Sequence, residues 1–341
     1  MIGIGVIGYG YWGPNLVRNL VECPGAAMRA VCDRRPDRLA QVARRYPAVR
    51  TTTSAEDLIN DSSIDAVVIA TPVQHHFEFA LAALRSGKHV FVEKPLAATS
   101  ALASQLIEEA SARRLVLMVG HTFVYTGAVR KIRELSFSGD LGDIYYYDSV
   151  RINLGLFQHD INVLWDLAVH DLAIMDYVLP HRPVAVSATG FAHLPGEPEN
   201  IAYMTMFFDG QLIAHVHVNW LSPVKMRRTL LGGSRRMVVF DDLETNEKVK
   251  VYDRGVSVHP SPENVYQMLI GYRTGDMWSP RIDLSEALSV EMAHFIECID
   301  KQATPLSDGE AGLRIVRLLE AATESISQKG RLIDVGAAVR A

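Results

Sequence analysis

The N-terminal segment constrains the fold of this chain more than any other feature. An apolar run from Ile2 to Ile7 leads directly into Gly8-Tyr9-Gly10-Tyr11-Trp12-Gly13, and Pro14 then opens a helical pattern. In a GxGxxG turn the first glycine permits a tight bend, the second lets the backbone approach a pyrophosphate, and the third lets helix and strand pack closely. This order predicts a Rossmann domain that binds the phosphates of a dinucleotide at the helix N-terminus.

A carboxylate follows the second strand that the pattern predicts. Asp33 comes directly after the apolar run from Met28 to Cys32 and 20 residues after Gly13. From that position an acid accepts hydrogen bonds from the adenosine ribose. Arg34 and Arg35 come next, and an arginine there can hold the 2′-phosphate of NADP, although both also fit a solvated loop. We therefore expect NAD as the cofactor, with NADP possible.

The pattern of apolar residues changes near His121. Before it, wholly apolar strands alternate with helices, which predicts a doubly wound parallel sheet covered on both faces. After it, strands follow one another with little helix between them, and Asp209-Gly210 marks a hairpin. The 341 residues thus predict an α/β chain with a Rossmann domain at 1–121. An α+β domain at 122–341 is expected to carry an open, mainly antiparallel sheet that binds substrate and forms oligomer contacts.

Composition narrows the partners and the compartment. The net charge of −5 argues against a nucleic-acid or anionic-membrane surface as partner. The 3 cysteines include no CxxC pair, which indicates reduced thiols and no thiolate zinc site. The chain shows neither a basic leader nor an apolar stretch near the ~18 residues that span a bilayer. We expect a cytoplasmic protein.

A lysine follows the strand that begins at His89. Glu93-Lys94-Pro95 comes at the carboxyl end of this apolar run, where open α/β sheets bind ligands. A lysine there can sit beside a nicotinamide and a substrate hydroxyl. Position alone is equally compatible with a surface lysine that caps a strand.

A second candidate pair lies in Trp165-Asp166-Leu167-Ala168-Val169-His170-Asp171. Asp166 and His170 are four residues apart, so on a helix they share a face. Imidazole titrates near neutral pH, which makes the two a possible acid/base pair. Two alternatives stay open, an ordinary pair on a helix surface and a metal site with Asp171, for which no further ligand is identifiable.

Together these elements resemble the Gfo/Idh/MocA oxidoreductase family over most of the chain. Besides the glycine turn and the Asp166-to-His170 spacing, the resemblance rests on Ala70-Thr71-Pro72 with His76, Gly87-Lys88-His89-Val90 before Glu93-Lys94-Pro95, Gly120-His121, and the helices Glu291-to-Phe295 and Gly309-to-Glu320. It implies a Rossmann domain, an α/β domain whose open sheet forms subunit contacts, and hydride transfer at a carbohydrate carbon. Val73 departs from the family, which commonly has asparagine after Thr-Pro.

The resemblance also implies roles for individual residues. Lys94 would bind substrate and act in catalysis, His170 would give or take the proton, and Asp166 would orient the substrate. Weaker substrate-binding candidates are Tyr125, Arg151 and Asn153. The residues expected to bind the cofactor are Gly8, Gly10, Tyr11, Trp12, Gly13, Asp33, Arg34, Thr71, Pro72, His76, Glu93 and Lys94.

The function that these observations favour is a dehydrogenase or ketoreductase that uses NAD(P) and acts on a sugar or a nucleotide sugar. Alternatives are a free cyclitol or aldose dehydrogenase such as an inositol dehydrogenase, a non-catalytic NAD-sensing protein and, more distantly, a metal-dependent hydrolase. The many β-rich segments, with aromatic residues such as Tyr145, Tyr147 and Trp220, favour a homodimer or homotetramer built on the second sheet.

Overall fold

The chain divides into two compact units. The computed structural model describes residues 1–155, 157–259 and 269–336. One unit comprises Met1–Tyr125 with Ser285–Glu320, and the other comprises Thr126–Leu284 with the residues from Ala321 on. The prediction assigned everything after residue 121 to a second domain. The observed division differs from this prediction because residues 285–320 pack with the Rossmann unit, although they lie far from it in sequence.

The first unit contains a six-stranded sheet in which every described pairing is parallel. The strand order is β3-β2-β1-β4-β5-β6, the doubly wound order of dinucleotide-binding domains. The strands are β1 (Ile2–Ile7), β2 (Ala26–Cys32), β3 (Arg50–Thr52), β4 (Ala66–Ile69), β5 (His89–Glu93) and β6 (Leu117–Gly120). The predicted parallel sheet is therefore confirmed.

Helices cover both faces of this sheet, as its wholly apolar strands require. Val6, Val68 and Phe91 in neighbouring strands have no exposed surface. The helices of this unit are α1 (Gly13–Glu22), α2 (Pro36–Arg45), α3 (Ala55–Ile59), α4 (His76–Arg85), α5 (Ser100–Arg113), α8 (Ala287–Lys301) and the first part of α9 (Gly309–Ser327). Of these, α8 packs on α1.

The second unit contains a nine-stranded mixed sheet. Its order is β14-β13-β12-β11-β7-β10-β9-β8-β15, and β10 pairs with β7 in parallel while the other described pairs are antiparallel. The open, mainly antiparallel sheet is confirmed. Its elements are α6 (Gly127–Phe137), β7 (Ile144–Leu154), α7 (Val169–Val178), β8 (Pro183–Phe191), β9 (Ile201–Phe208), β10 (Ile213–Asn219), β11 (Leu221–Gly233), β12 (Met237–Asp241), β13 (Val249–His259), β14 (Leu269–Trp278) and β15 (Ile333–Asp334).

One face of this sheet carries exposed apolar side chains. Along β9, Ala202, Met204 and Met206 are buried while Tyr203 and Phe207 are about two-fifths exposed, the alternation of a strand with one covered face. Ile213 pairs opposite Phe207 and is also exposed. Two residues predicted for this surface, Tyr147 and Trp220, lie instead in the core.

No helix in the described ranges of the chain combines the length and the apolar character needed to cross a membrane.

Candidate functional site

The loop between β1 and α1 has the backbone that its glycines predict. Gly8 has φ +101°, and a Cβ there would lie 2.5 Å from the carbonyl oxygen of Ala70. A Cβ on Gly13 would lie 2.3 Å from the carbonyl oxygen of Gly8. Because real Cβ atoms do not approach backbone oxygens so closely, both positions require glycine. They bring the start of α1 against the carboxyl ends of β1 and β4.

A cleft of about 810 Å³ opens in front of this loop. At Gly10 the nearest neighbour to a built Cβ is the Arg35 guanidinium, 3.9 Å away. The backbone at Gly10 is therefore accessible to a ligand from the cleft. Eight of the predicted cofactor residues line this cleft: Gly8, Gly10, Tyr11, Trp12, Asp33, Arg34, Thr71 and Pro72. The size and the lining fit a dinucleotide, with its phosphates at the N-terminus of α1.

Asp33 is held at the end of β2 by three donors. Its Oδ2 accepts from the backbone N–H of Tyr9 at 2.7 Å, and its Oδ1 accepts from the backbone N–H and Nε of Arg35 at 2.9 and 3.2 Å. Burial alone would raise the pKa of this carboxyl, but the hydrogen bonds and the Arg35 charge outweigh it, and the pKa is lowered. The ionised carboxylate keeps acceptor capacity for ribose hydroxyls.

We expect Asp33→Ala to weaken NAD binding by about tenfold or more, since hydrogen bonds to a charged group contribute roughly 1.5–3 kcal/mol. The same change should narrow the preference for NAD over NADP, because the carboxylate no longer repels a 2′-phosphate. Titration of both cofactors into wild type and variant measures this. Asp37→Ala, which removes an exposed carboxylate on α2, is the matched control. A wild type that strongly prefers NADP, with no change on substitution, would contradict the assignment.

His76 joins the cofactor loop to the lysine turn. Its Nε2 lies 2.8 Å from the carbonyl oxygen of Thr71, and its Nδ1 lies 2.8 Å from the carbonyl oxygen of Pro95. The ring is 1% exposed, and burial lowers its pKa despite these contacts. His76 is outside the lining of the cleft, so its contribution to the cofactor site is to tether the two loops.

The Glu93-Lys94-Pro95 turn follows β5, as predicted. Glu93 and Lys94 are partly buried, and Pro95 is buried. The Glu93 Oε2 accepts from the backbone N–H of Lys94 at 3.3 Å, and the Trp12 side chain also hydrogen-bonds this carboxyl. Burial raises the pKa of Glu93 to about 7. Glu93 thus links the turn that presents Lys94 to the glycine loop, rather than lining the cleft.

In the second unit, Asp166 and His170 lie on a π-helical turn and the α-helix that follows it. The π-turn spans Leu164–Ala168, and α7 begins at Val169. Such turns are rare and occur frequently at functional sites. Both side chains are partly exposed. The two residues therefore do lie on one helical segment, whose widened first turn the sequence pattern does not indicate.

Arg151 and Asn153 occupy alternate positions of β7 and so face the same side of the sheet. Arg151 is 4% exposed and forms a two-pronged ion pair with Asp171, with Nε–Oδ2 2.6 Å and Nη2–Oδ1 3.3 Å. Ser149 donates to the same carboxylate at 2.7 Å. Arg151 therefore anchors the start of α7, beside His170, and its contact with substrate stays a prediction. Asn153 is partly exposed.

Tyr125 is 2% exposed, and its hydroxyl lies 3.0 Å from the Ser307 hydroxyl. Its ring packs against His294. The hydroxyl of Tyr125 is thus engaged inside the first unit, and its role in binding substrate stays a prediction.

Trp220 contacts one of the predicted site residues, Asp166, a pairing that the sequence does not indicate. Its indole Nε1 donates to Asp166 Oδ2 at 3.1 Å, and its ring is 1% exposed. The ring also packs against Phe157. The two partners are 54 positions apart, so no local spacing connects them.

Trp220→Phe should lower kcat/KM by about tenfold, with little change in NAD affinity. The phenyl ring keeps most of the packing while the carboxylate loses a donor, a loss of roughly 1.4 kcal/mol or more. Steady-state kinetics on the best substrate measures it. Trp165→Phe is the matched control, since its indole donates to Thr323 at 3.1 Å instead of Asp166. If Trp220→Phe has the same kcat/KM as wild type, Trp220 does not orient Asp166 for the reaction.

The parallel six-stranded sheet, its glycine loop and the acid at the end of β2 define a protein that binds a dinucleotide. Comparison with known families identifies the family to which this protein belongs. Residues 2–121 match the oxidoreductase family model with an NAD-binding Rossmann fold, and residues 137–335 match the C-terminal alpha/beta domain of the same family. The chain belongs to the Gfo/Idh/MocA oxidoreductase family. It is an NAD-dependent dehydrogenase.

Curated relatives align along nearly the whole chain. It is 28% identical to a UDP-N-acetylglucosamine 3-dehydrogenase of Acidithiobacillus ferrooxidans, covering 92% of this chain and 93% of that one. A solved structure of that enzyme superposes with a TM-score of 0.79 at 26% identity, covering 96% and 99% of the two chains. This chain is also 24% identical to a scyllo-inositol 2-dehydrogenase (NAD+) of Bacillus subtilis, and the alignment covers 90% of this chain and 87% of that one.

Proposed function

We propose that this dehydrogenase oxidises a secondary alcohol of a sugar or reduces the corresponding ketone, with Lys94 as a catalytic residue. The observation that carries the proposal is the tether through His76. The ring is buried, lies 2.8 Å from the carbonyl oxygens of both Thr71 and Pro95, and so packs between the edge of the cofactor cleft and the lysine turn. Lys94 follows the end of β5, the strand next to β4, and β4 leads into Thr71 and Pro72 of the cleft lining.

The nicotinamide supplies the hydride chemistry, and the protein supplies position and charge. The Lys94 ammonium stabilises the oxyanion that develops when the substrate hydroxyl loses its proton. His170 takes or returns that proton, and Asp166 orients the substrate. Asp166 is itself oriented by the Trp220 indole, and the start of the His170 helix is anchored by Arg151.

We favour a nucleotide-linked sugar over a free cyclitol or aldose as the substrate class. Support comes from similarity to a UDP-N-acetylglucosamine 3-dehydrogenase at 28% identity, against 24% for the scyllo-inositol enzyme. The experiment is a panel of matched pairs, each a nucleotide sugar and its free sugar with inositols added, followed through nicotinamide absorbance. Turnover of the linked sugar alone supports the choice. Turnover of free cyclitols or aldoses alone reverses it, and turnover of neither overturns the proposed activity.

The exposed apolar face of the second sheet supports a homo-oligomer as the working form. Tyr203, Phe207 and Ile213 lie exposed on adjacent strands, and Tyr203 stacks on His217 with ring centroids 4.4 Å apart. Contiguous apolar patches of this kind are uncommon on monomers. Sedimentation should give a dimer or tetramer, and Phe207→Glu should shift it toward monomer. A wild type that sediments as a monomer at working concentration would rule the interface out.

We place the working enzyme in the cytoplasm, since Cys23, Cys32 and Cys298 are all buried free thiols of the kind that reducing compartments maintain.

A further inference from the structure

The second unit contains a cavity of about 1120 Å³ that has no part in the chemistry described so far. Its lining comes from α6, the end of α7 and the segment 281–284, and it shares no residue with the lining of the cofactor cleft. The charged residues that line this basic cavity are Arg130, Lys131, Arg133, Arg281, Glu134 and Asp283. Basic side chains therefore outnumber acidic ones here, although the net charge of the whole chain is −5.

The sequence of α6 brings several of these residues onto one face. Arg130, Arg133 and Phe137 are spaced by three and four residues, so on a helix they form a single stripe. Val129 and Ile132 lie on another face of α6 and are buried. The apolar face of α6 thus packs into the unit, while its arginine face borders the cavity.

Arg133 is fixed in the wall of the cavity. Its guanidinium carbon lies 4.2 Å from the ring centroid of Phe137 and 4.5 Å from that of Tyr177. Its Nη1 donates to the backbone carbonyl of Tyr177, one of the last carbonyls of α7, which have no partner within a helix. Arginine has five N–H donors, and the described residues supply no other acceptor to Arg133. A held guanidinium with donors to spare binds an anion at a small entropic cost.

Arg281 reaches the same cavity because the chain crosses the start of α6 at close range. A Cβ on Gly127, the first residue of α6, would lie 2.1 Å from the carbonyl oxygen of Asp283. Real Cβ atoms do not approach a backbone oxygen so closely, so this crossing requires glycine. The packing of the unit, and no local spacing, therefore adds Arg281 to the arginines of α6.

Three of the four basic side chains have no acidic partner. Lys131 pairs with Glu134 at 2.6 Å, whereas Arg130, Arg133 and Arg281 form no ion pair within the described part of the chain. Like charges that line one cavity repel one another, and an anion between them replaces this repulsion with attraction. Guanidinium groups match phosphate oxygens through paired N–H bonds. Three of them favour a ligand with more than one negative charge.

We propose that the basic cavity binds a phosphate-bearing anion with at least two negative charges, held by Arg130, Arg133 and Arg281. Because Arg133 also contacts Tyr177, a bound anion fastens α6, the end of α7 and the segment 281–284 to one another. The same chemistry is offered by inorganic pyrophosphate and by a nucleoside diphosphate. The site is separate from the reaction proposed for Lys94 and does not depend on it.

The experiment is calorimetric titration of pyrophosphate and of ADP into protein saturated with NADH, so that the glycine loop is occupied. Both probes should bind wild type. Arg130→Gln and Arg281→Gln should each weaken the binding by about tenfold or more, the effect of losing a charged hydrogen bond. Both arginines are exposed, so the variants should fold. Arg254→Gln is the matched control, since it removes an exposed arginine beside the Tyr252 ring outside the cavity.

The possible results separate this site from a general effect of charge. Failure of both probes to bind NADH-saturated wild type overturns the proposal. Unchanged affinity in both Arg130→Gln and Arg281→Gln overturns it as well, and so does equal weakening in Arg254→Gln. If the two cavity variants alone bind weakly, the site is supported, and the probe with the lower Kd shows whether its ligand is an organic or an inorganic phosphate. Nicotinamide fluorescence, followed in parallel, should show that NADH stays bound throughout.

Discussion

Lys94→Ala is expected to reduce turnover by about 100-fold or more while NAD still binds, the scale of losing a positioned group that acts on the transition state. The cofactor cleft is built from the glycine loop, Asp33 and the Thr71 loop, and Lys94 is not among its lining residues. The measurement is a pair of experiments on one preparation: steady-state turnover of the best sugar substrate, and NADH titration by fluorescence.

A matched control lies at the other end of the same strand. Lys88 precedes β5, and its ammonium donates to the backbone carbonyls of Asp61 and Ile64 at 2.8 and 2.6 Å. Lys88→Ala should lower thermal stability and leave turnover of the folded enzyme close to wild type, because ligands bind at the carboxyl ends of parallel strands. Near-wild-type turnover by a folded, cofactor-binding Lys94→Ala protein would show that the proposed catalytic lysine is wrong.

The parts of this molecule that could be predicted are those whose signals are local. The turn from Gly8 to Gly13 encodes a strand, a bend and a helix within a dozen residues, and Asp33 follows the next apolar run. The fold around them is as predicted. By contrast, β3 (Arg50–Thr52) and α3 (Ala55–Ile59) are too short to show a period. In β14 the residues from 272 to 277 are all exposed, so no apolar alternation marks that strand.

The parts that could not be predicted depend on partners far apart in sequence. Strand alternation indicates that Arg151 and Asn153 share a face of the sheet. It does not show that the Arg151 guanidinium forms an ion pair with Asp171. Trp220 meets Asp166, and α8 brings Glu291 to Thr122, a residue 169 positions away. These contacts form only when the chain packs, because their distances in sequence exceed any helical or strand period.

His170 lies at the start of α7, which is anchored through the residue that follows it. The next residue, Asp171, is buried and accepts from Arg151 and Ser149, and its backbone carbonyl accepts from the Tyr147 hydroxyl at 3.0 Å. Removing a partly exposed imidazole beside this network should therefore leave α7 in place. A change in rate can then be attributed to the ring.

His170→Ala should accordingly lower turnover by about 100-fold or more, as expected for a general acid or base, with an unfolding temperature near that of wild type. If the ring relays a proton, added imidazole should restore part of the rate in His170→Ala and none in Lys94→Ala, because a small base can replace a proton carrier but not a fixed positive charge. His181→Ala, an exposed histidine beyond the C-terminal end of α7, should behave as wild type. A folded His170→Ala enzyme with undiminished turnover would remove His170 from the reaction and leave Lys94 to be tested alone.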